Sequence, residues 1–133
     1  MNTVFLDTVG LLALWEKRDQ WHAVAWSAME SMQTRGVRLV TTPAILLECG
    51  NAAARTTYRG IVEQFREELK ATDQLIIPSA AEEDQAWREY RSGSAGEAGI
   101  VDHLSMVVMR RLDITDVFTN DRHFKAAGFN TLF

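Results

Sequence analysis

The chain has 133 residues, of which 47% are apolar and 24% are charged, and its formal net charge is -4. This length suits a single domain over residues 1–133, with a core that needs no disulfide or metal to hold it. The lone cysteine, Cys49, excludes a disulfide framework and a cysteine zinc site, so we expect a cytoplasmic protein. The N-terminal residues do not look like a secretion signal, and charge interrupts every apolar run before about 18 residues, so we expect no membrane span.

The predicted elements alternate along the chain between short β-rich runs and helical segments. In order, the pattern predicts a strand at 3–6 (TVFL), helical sequence over about 11–34 with a break near Asp19, a strand at 37–42 (VRLVTT), helices at 43–55 and 58–71, a strand at 74–78 (QLIIP), a helix at 80–91, a loop at 92–99, a helix at 100–112, a strand at 116–119 (DVFT), a turn with a short helix, and an edge strand within 129–133. Strands separated by helices predict parallel β-α-β units. We therefore predict an α/β fold with three layers, α/β/α, around a central, mostly parallel sheet of about four or five strands.

The acidic balance of the chain restricts its partners. Lys and Arg total 14, whereas Asp and Glu total 18. A protein that binds nucleic acid mainly through phosphate contacts is usually basic. Either nucleic acid is not the partner, or the acids are concentrated where a cation mediates the contact.

Four acids lie near the predicted strand ends. Asp7 and Asp121 come just after the strands at 3–6 and 116–119, and Glu48 lies about two turns into the helix that follows the second strand. Asp102 lies near the start of the helix at 100–112, where the helix dipole favours an ionised carboxylate. Ligands of parallel α/β folds bind outside the carboxyl ends of the strands, so these acids could converge at one edge of the sheet.

A group of carboxylates without Lys or Arg partners favours a divalent cation. Mg²⁺ and Mn²⁺ prefer oxygen ligands, usually one or two carboxylates together with waters and substrate phosphates. Such an ion activates a water and neutralises a phosphodiester oxygen, so an acidic protein can still cleave nucleic acid. The competing interpretation is ordinary solvated surface, because Asp is common in turns and helix caps. Glu48, Asn51 and Arg55 form a polar helical stripe that fits a cleft wall and a solvated face equally well.

Four motifs give the chain a family resemblance. FLDT at 5–8, the pair Glu48 and Asn51, GIVDHLS at 99–105 and FTNDRHFKAAGF at 118–129 resemble the acidic motifs of PIN-domain ribonucleases. Within that family the chain is most similar to the VapC-type toxins of bacterial toxin-antitoxin pairs. The resemblance implies an endoribonuclease that depends on Mg²⁺ or Mn²⁺, cuts an RNA substrate, forms a homodimer and is held inactive by a cognate antitoxin protein.

The resemblance also assigns roles to individual residues. By position, Asp7, Glu48, Asp102 and Asp121 correspond to the acidic quartet, which is catalytic and binds the metal. We expect Asp7 and Asp102 to be direct ligands, with Asp121 and Glu48 completing the site directly or through water. Residues near these acids are candidates for supporting or substrate-binding roles, each with a turn, capping or packing role as the alternative. They are Thr8, Asn51, Ser105, Thr119 and Asn120.

The chain departs from the family pattern at two places. Val9 stands where a small polar residue is frequent, which leaves Thr8 as the nearby hydroxyl. Ile100 and Val101 stand where the toxins commonly have a Ser-Leu-Thr type lead-in, so the helix that carries Asp102 is expected to be capped differently.

The start of that helix has two interpretations. Ser94 and Glu97 could form a capping box and begin the helix early, but Gly96 and Gly99 disfavour helix and indicate the later start. Glu97 would be a fifth acid of the site if its side chain pointed into the cleft.

Several other residues have plain interpretations. We expect His123 to be a structural hydrogen-bonding residue rather than a general base, and Cys49 to be a small buried residue. Trp15, Trp21 and Trp26 lie within 12 residues of one another. They form part of the core or present a face to a partner protein.

Two other classes of function compete with the nuclease. A receiver-like phospho-accepting module is also a small α/β domain, but it needs an acidic pair after the first strand and an aspartate after a middle strand, and neither is present. A catalytically inactive PIN-like scaffold that only binds a partner is the other alternative, and the presence of all four acids argues against it.

Overall fold

The computed structural model describes residues 2–133, which form four strands and seven helices. In chain order these are β1 (Thr3–Leu6), α1 (Thr8–Trp15), α2 (His22–Thr34), β2 (Arg38–Val40), α3 (Pro43–Ala53), α4 (Arg59–Ala71), α5 (Ala80–Ser92), α6 (Ile100–Arg111), β3 (Asp116–Phe118), α7 (Arg122–Ala126) and β4 (Asn130–Thr131). No helix in this described range is both long and apolar enough to cross a bilayer.

The strands form one parallel sheet in the order β2-β1-β3-β4. Val4 of β1 pairs with Leu39 of β2 on one side and with Asp116 of β3 on the other. β4 adds to the outer side of β3, also in parallel, so the predicted C-terminal edge strand is present. The predicted α/β fold with a mostly parallel central sheet is confirmed.

Both faces of the sheet are covered by helices. Successive strand residues point to opposite faces, and Val4, Phe5 and Leu6 are all at most 2% exposed. The chain moves from β1 to β2 in one direction across the sheet and from β2 to β3 in the other. Right-handed crossovers therefore place the helices of these two connections on opposite faces. This arrangement gives the three predicted layers.

The predicted strand at 74–78 is wrong. Only Leu75 pairs, in a single bridge with Thr41 just beyond the end of β2. The Thr41 N–H donates to the carbonyl of Gln74, and the Ile76 N–H donates to the carbonyl of Thr41. Ile77 is 66% exposed and Pro78 has no N–H to donate, so the segment leaves the sheet after that bridge.

Helix α1 begins at Thr8, three residues earlier than the sequence pattern predicts. Val9 and Gly10 have low helix propensity, which hid this start. Gly10 is required here because a Cβ at this position would lie 2.0 Å from the carbonyl oxygen of Phe118 in β3. The close approach holds the start of α1 against the central strands, directly after Asp7.

Helix α6, which carries Asp102, packs along α5. Glu82 and Glu89 of α5 form ion pairs with Arg111 and Arg110 of α6, each with an N···O distance of 2.5 Å. The helix begins at Ile100, so the later of the two predicted starts is confirmed.

Candidate active site

A cleft of about 630 Å³ opens at the carboxyl edge of the sheet. Its lining includes all four acids that the sequence singled out, together with two residues from the start of α1 and two from α3. The lining residues are Asp7, Thr8, Val9, Glu48, Asn51, Ala52, Asp102 and Asp121. Four carboxylates from four segments of the chain therefore share one cleft, and its lining contains no Lys or Arg.

Asp7 forms the buried floor of the cleft. It follows β1 directly and precedes the first residue of α1, and it is only 1% exposed. Burial, together with the nearby charges of Asp102 and Asp121, raises the pKa of its carboxyl group from 3.8 to about 7. Near neutral pH, with no cation bound, this carboxyl group therefore retains part of its proton.

Thr119 connects Asp7 to Asp121. Its hydroxyl donates a hydrogen bond of 2.8 Å to Asp7 Oδ2 and accepts one of 3.1 Å from the backbone N–H of Asp121. The donated bond favours the ionised form of Asp7 and opposes part of the effect of burial on its pKa. One buried hydroxyl therefore fixes the separation of two acids that are far apart in the sequence.

Asp102 lies in the first turn of α6, where its side chain turns back toward the start of the helix. The backbone N–H of Gly99 donates to Asp102 Oδ2 over 3.3 Å, which gives the helix a local cap in place of the lead-in usual in the toxins. Burial raises the pKa of the Asp102 carboxyl group, and the charge of Asp121 adds to that shift. The site therefore holds two acids, Asp7 and Asp102, whose ionisation is costly without a counter-charge.

Asp121 caps the short helix α7 and is joined there by His123. Its Oδ1 accepts hydrogen bonds from the backbone N–H and from ring Nδ1 of His123, at 2.9 and 2.8 Å. One ligand-type atom from each of Asp102, Asp121 and His123 lies within 4.8 Å of the others. The sequence alone did not place His123 in the site. The available signal was its position two residues after an N-capping aspartate, where a cap accepts its hydrogen bond.

Glu48 and Thr8 form the opposite wall. The Thr8 hydroxyl donates to Glu48 Oε1 over 2.5 Å, so the first turn of α1 holds the glutamate of α3. Asn51 lies one turn after Glu48 and also lines the cleft. Val9 adds an apolar side chain to this wall, and the residue is 39% exposed. Of the three residues in the predicted polar stripe, Glu48 and Asn51 line the cleft and Arg55 does not.

Three other candidates lie outside the lining of the cleft. Ser105 is buried, and its hydroxyl donates to the carbonyl of Val101 one turn earlier in α6, which is the packing role considered for it. Glu97 is exposed in the loop before α6 and is not a fifth wall acid. Asn120 lines a neighbouring pocket, of about 700 Å³, which Asp121 and His123 also line.

The donor set of the cleft fits a hard divalent cation. Carboxylate oxygens are the ligands that Mg²⁺ and Mn²⁺ prefer, and burial, with the charges of the neighbouring acids, raises the pKa values of Asp7 and Asp102. Within residues 2–133, neither Lys nor Arg forms an ion pair with any of the four acids. A cation held by Asp7, Asp102 and Asp121 would supply the missing charge.

Comparison with known proteins gives one family match and several similar structures. Among curated protein sequences, none matches the chain significantly. VapC20 of Mycobacterium tuberculosis, a toxin that cleaves the sarcin-ricin loop, is 25% identical, with 95% of each chain covered and a TM-score of 0.79. FitAcB from Neisseria gonorrhoeae is 17% identical, with 96% of this chain and 95% of that chain covered and a TM-score of 0.63, a likeness of fold alone.

These findings confirm the resemblance to VapC-type PIN proteins that the motifs indicated. The model of the PIN domain family matches residues 4–130, which include all four acids of the cleft and every strand residue except Thr3 and Thr131. By this match over almost its whole length, the chain belongs to the PIN domain family.

Proposed function

We propose that the protein is an endoribonuclease that depends on Mg²⁺ or Mn²⁺, and that it is the toxin of a type II toxin-antitoxin pair. The observation that carries the proposal is the convergence of Asp7, Glu48, Asp102 and Asp121 on one cleft with no basic residue in its lining. The likeness to VapC20, which cleaves an RNA loop, supports the same conclusion. In this proposal the protein is a single cytoplasmic domain that acts on cellular RNA.

The chain's own residues would divide the work of hydrolysis as follows. A bound divalent cation supplies positive charge for the phosphate oxygens and lowers the pKa of water. Asp7, Asp102 and Asp121 would hold the cation, and Glu48 would orient water. The Thr119 hydroxyl hydrogen-bonds to Asp7 and Asp121, and the Thr8 hydroxyl fixes the side chain of Glu48. In the reaction, the oxygen of water would bond to phosphorus and release one proton to solvent, one P–O ester bond would break, and the departing oxygen would take up a proton from solvent.

The decisive experiment is an RNA cleavage assay with purified protein in Mg²⁺, in Mn²⁺ and in excess chelator. The RNA set includes a sarcin-ricin loop hairpin, because VapC20 cuts that loop, and an unstructured oligonucleotide. We expect cleavage that the chelator abolishes, and loss of cleavage in Asp7→Asn and Asp102→Asn with the fold intact by circular dichroism. Asp113→Asn is the matched control, since Asp113 is exposed just beyond the far end of α6.

The proposal fails if Asp102→Asn cleaves at the wild-type rate, or if full activity survives in chelator. A wild-type protein that binds neither Mg²⁺ nor Mn²⁺ in a calorimetric titration would instead favour the inactive PIN-like scaffold. A receiver-like module also needs a lysine after a late strand. Lys125, which follows the fourth acid, is exposed on α7, so the structure gives this alternative no support.

The antitoxin and the homodimer are part of this proposal, and exposed apolar side chains support them. Trp21 and Trp26 are 42% and 53% exposed, whereas Trp15 packs edge-on against Phe65 with ring centroids 5.5 Å apart. Leu47 of α3 is 71% exposed beside the groove between α3 and α4. We expect the adjacent gene to encode a small antitoxin, and light scattering of the purified protein to give twice the 15.0 kDa mass of one chain.

A further inference from the structure

The two hydrogen bonds that Asp121 accepts through its side chain fall on the same oxygen. Both the backbone N–H and the ring Nδ1 of His123 donate to Oδ1. Within residues 2–133, no other residue donates a hydrogen bond to the second carboxylate oxygen of Asp121, Oδ2. The two oxygens of this carboxylate therefore have different environments, although Asp102 lies close enough to share a cation with it.

The hydrogen bond defines the state of the imidazole ring. An ionised carboxylate only accepts hydrogen bonds, so Nδ1 of His123 must carry the proton in its contact with Asp121. A protonated ring nitrogen has no lone pair to offer to a metal. Coordination through Nδ1 would require loss of this proton and of the hydrogen bond.

We propose that His123 is a positioning residue that engages Oδ1 of Asp121 and leaves Oδ2 as the single oxygen available to a cation. This inference rests on the proposed function, because it assumes that Asp121 binds the metal. A donor that hydrogen-bonds to a metal ligand in this way fixes the orientation of that ligand, and its removal typically lowers metal affinity about 10- to 100-fold. His123 can be altered without opening the core, since its side chain is 43% exposed.

The test compares two amide side chains at this position. Asn places its amide nitrogen at nearly the same distance from the backbone as Nδ1, whereas Gln places it near the position of Nε2. We expect His123→Asn to bind Mn²⁺ nearly as tightly as the wild type, and His123→Gln to bind it about 10- to 100-fold more weakly. Calorimetry and the Mn²⁺ electron paramagnetic resonance signal measure this affinity without reference to cleavage.

A second readout separates metal positioning from a general loss of structure. We expect saturating Mn²⁺ to restore the RNA cleavage rate of His123→Gln, because the defect lies in metal affinity. His22→Gln is the matched control, since His22 lies on α2 and its Nδ1 contacts the carbonyl of Ala13. This control should bind Mn²⁺ and cleave RNA as the wild type does.

Three results would overturn the inference. Equal Mn²⁺ affinity in both variants and the wild type would show that the hydrogen bond is irrelevant to the metal. Tight binding by His123→Gln with weak binding by His123→Asn, or a ¹⁴N coupling to Mn²⁺ that disappears with His123, would instead make the imidazole a direct ligand. Failure of the proposed function itself has a different signature, which is a wild-type protein that neither binds Mn²⁺ nor cleaves RNA.

Discussion

The cleft has a buried end and an open end that hold their acids in different ways. At the buried end, Asp7 is 1% exposed, and its carboxylate accepts a side-chain hydrogen bond from Thr119. At the open end, the Asp121 side chain is 19% exposed and accepts two hydrogen bonds from His123. An aspartate is therefore costly to ionise at the buried end, whereas at the open end an aspartate accepts two hydrogen bonds.

This difference indicates how a cation and protons compete for the site. Burial raises the pKa of Asp7 to about 7, so its carboxyl group retains part of its proton near neutral pH. A cation bound between the two ends would displace that proton, because metal ligands must be deprotonated. With a cation bound as proposed, the buried end would make metal affinity depend on pH, and the open end would set the orientation of the Asp121 carboxylate.

The largest expected effect comes from replacing the buried acid with its neutral isostere. The folded-state pKa of Asp7 lies above the ordinary value of 3.8, so between 3.8 and about 7 the folded protein binds more protons than the unfolded chain. The free energy of unfolding of the metal-free protein should therefore fall as pH rises through this interval. Asp7→Asn should remove this contribution and be more stable than the wild type at pH 8 by roughly 4 kcal/mol.

Urea denaturation in chelator at a series of pH values measures this difference between variant and wild type. The difference should shrink toward zero near the ordinary pKa of the carboxyl group. A constant difference at all pH values would show that Asp7 is not ionised at a cost in the folded state.

The next largest effect tests the packing that holds the buried end. Gly10→Ala forces a methyl group to within 2.0 Å of the Phe118 carbonyl oxygen, so we expect a loss of about 3 kcal/mol in stability. Gly50→Ala is the matched control in helix α3, where a new Cβ has no neighbour within 4 Å, and it should gain about 0.5–1 kcal/mol. Thermal denaturation of both variants checks the opposite signs, and similar effects at the two glycines would contradict the packing argument.

Thr119 tests the connection between the two ends. Thr119→Val keeps the shape of the side chain but removes the hydroxyl, which should cost about 2 kcal/mol and raise the pKa of Asp7 further. Thr119→Ser keeps the hydroxyl and should leave that pKa near its wild-type value. Carboxyl-carbon NMR titration of Asp7 measures the shift, and an unchanged pKa in the valine variant would show that the bond is unimportant.

The smallest expected effect is the pH dependence of metal binding near the pKa of Asp7. Below about pH 7, each unit of decrease in pH should weaken Mn²⁺ binding about tenfold, or roughly 1.4 kcal/mol, through Asp7 alone. Calorimetry in buffers with different ionisation enthalpies should detect the released proton at pH 6. An absence of proton release at that pH would place Asp7 outside the metal site or show it to be already ionised.

Much of this site followed from the sequence, because it depends on where strands end. Asp7 and Asp121 were recognised from the apolar runs before them, and a parallel sheet brings such residues to one edge. His123 was not placed in the site, because its role depends on a side-chain rotamer that no periodicity encodes. The strand at 74–78 was predicted wrongly for a similar reason, since an apolar run does not reveal whether a neighbouring strand extends far enough to pair with it.

The hydrogen bond from Thr119 to Asp7 spans 112 positions of the chain. A ribosome makes Asp7 early, but the residues that complete the cleft appear only once β3 and Asp121 have been synthesised and docked beside β1. Because this contact joins residues 112 positions apart, the four acids cannot gather on a chain that has not yet been synthesised through Asp121. Under the proposed function, a partly synthesised chain would therefore lack nuclease activity, and a cognate antitoxin would need to recognise only chains that have passed this point.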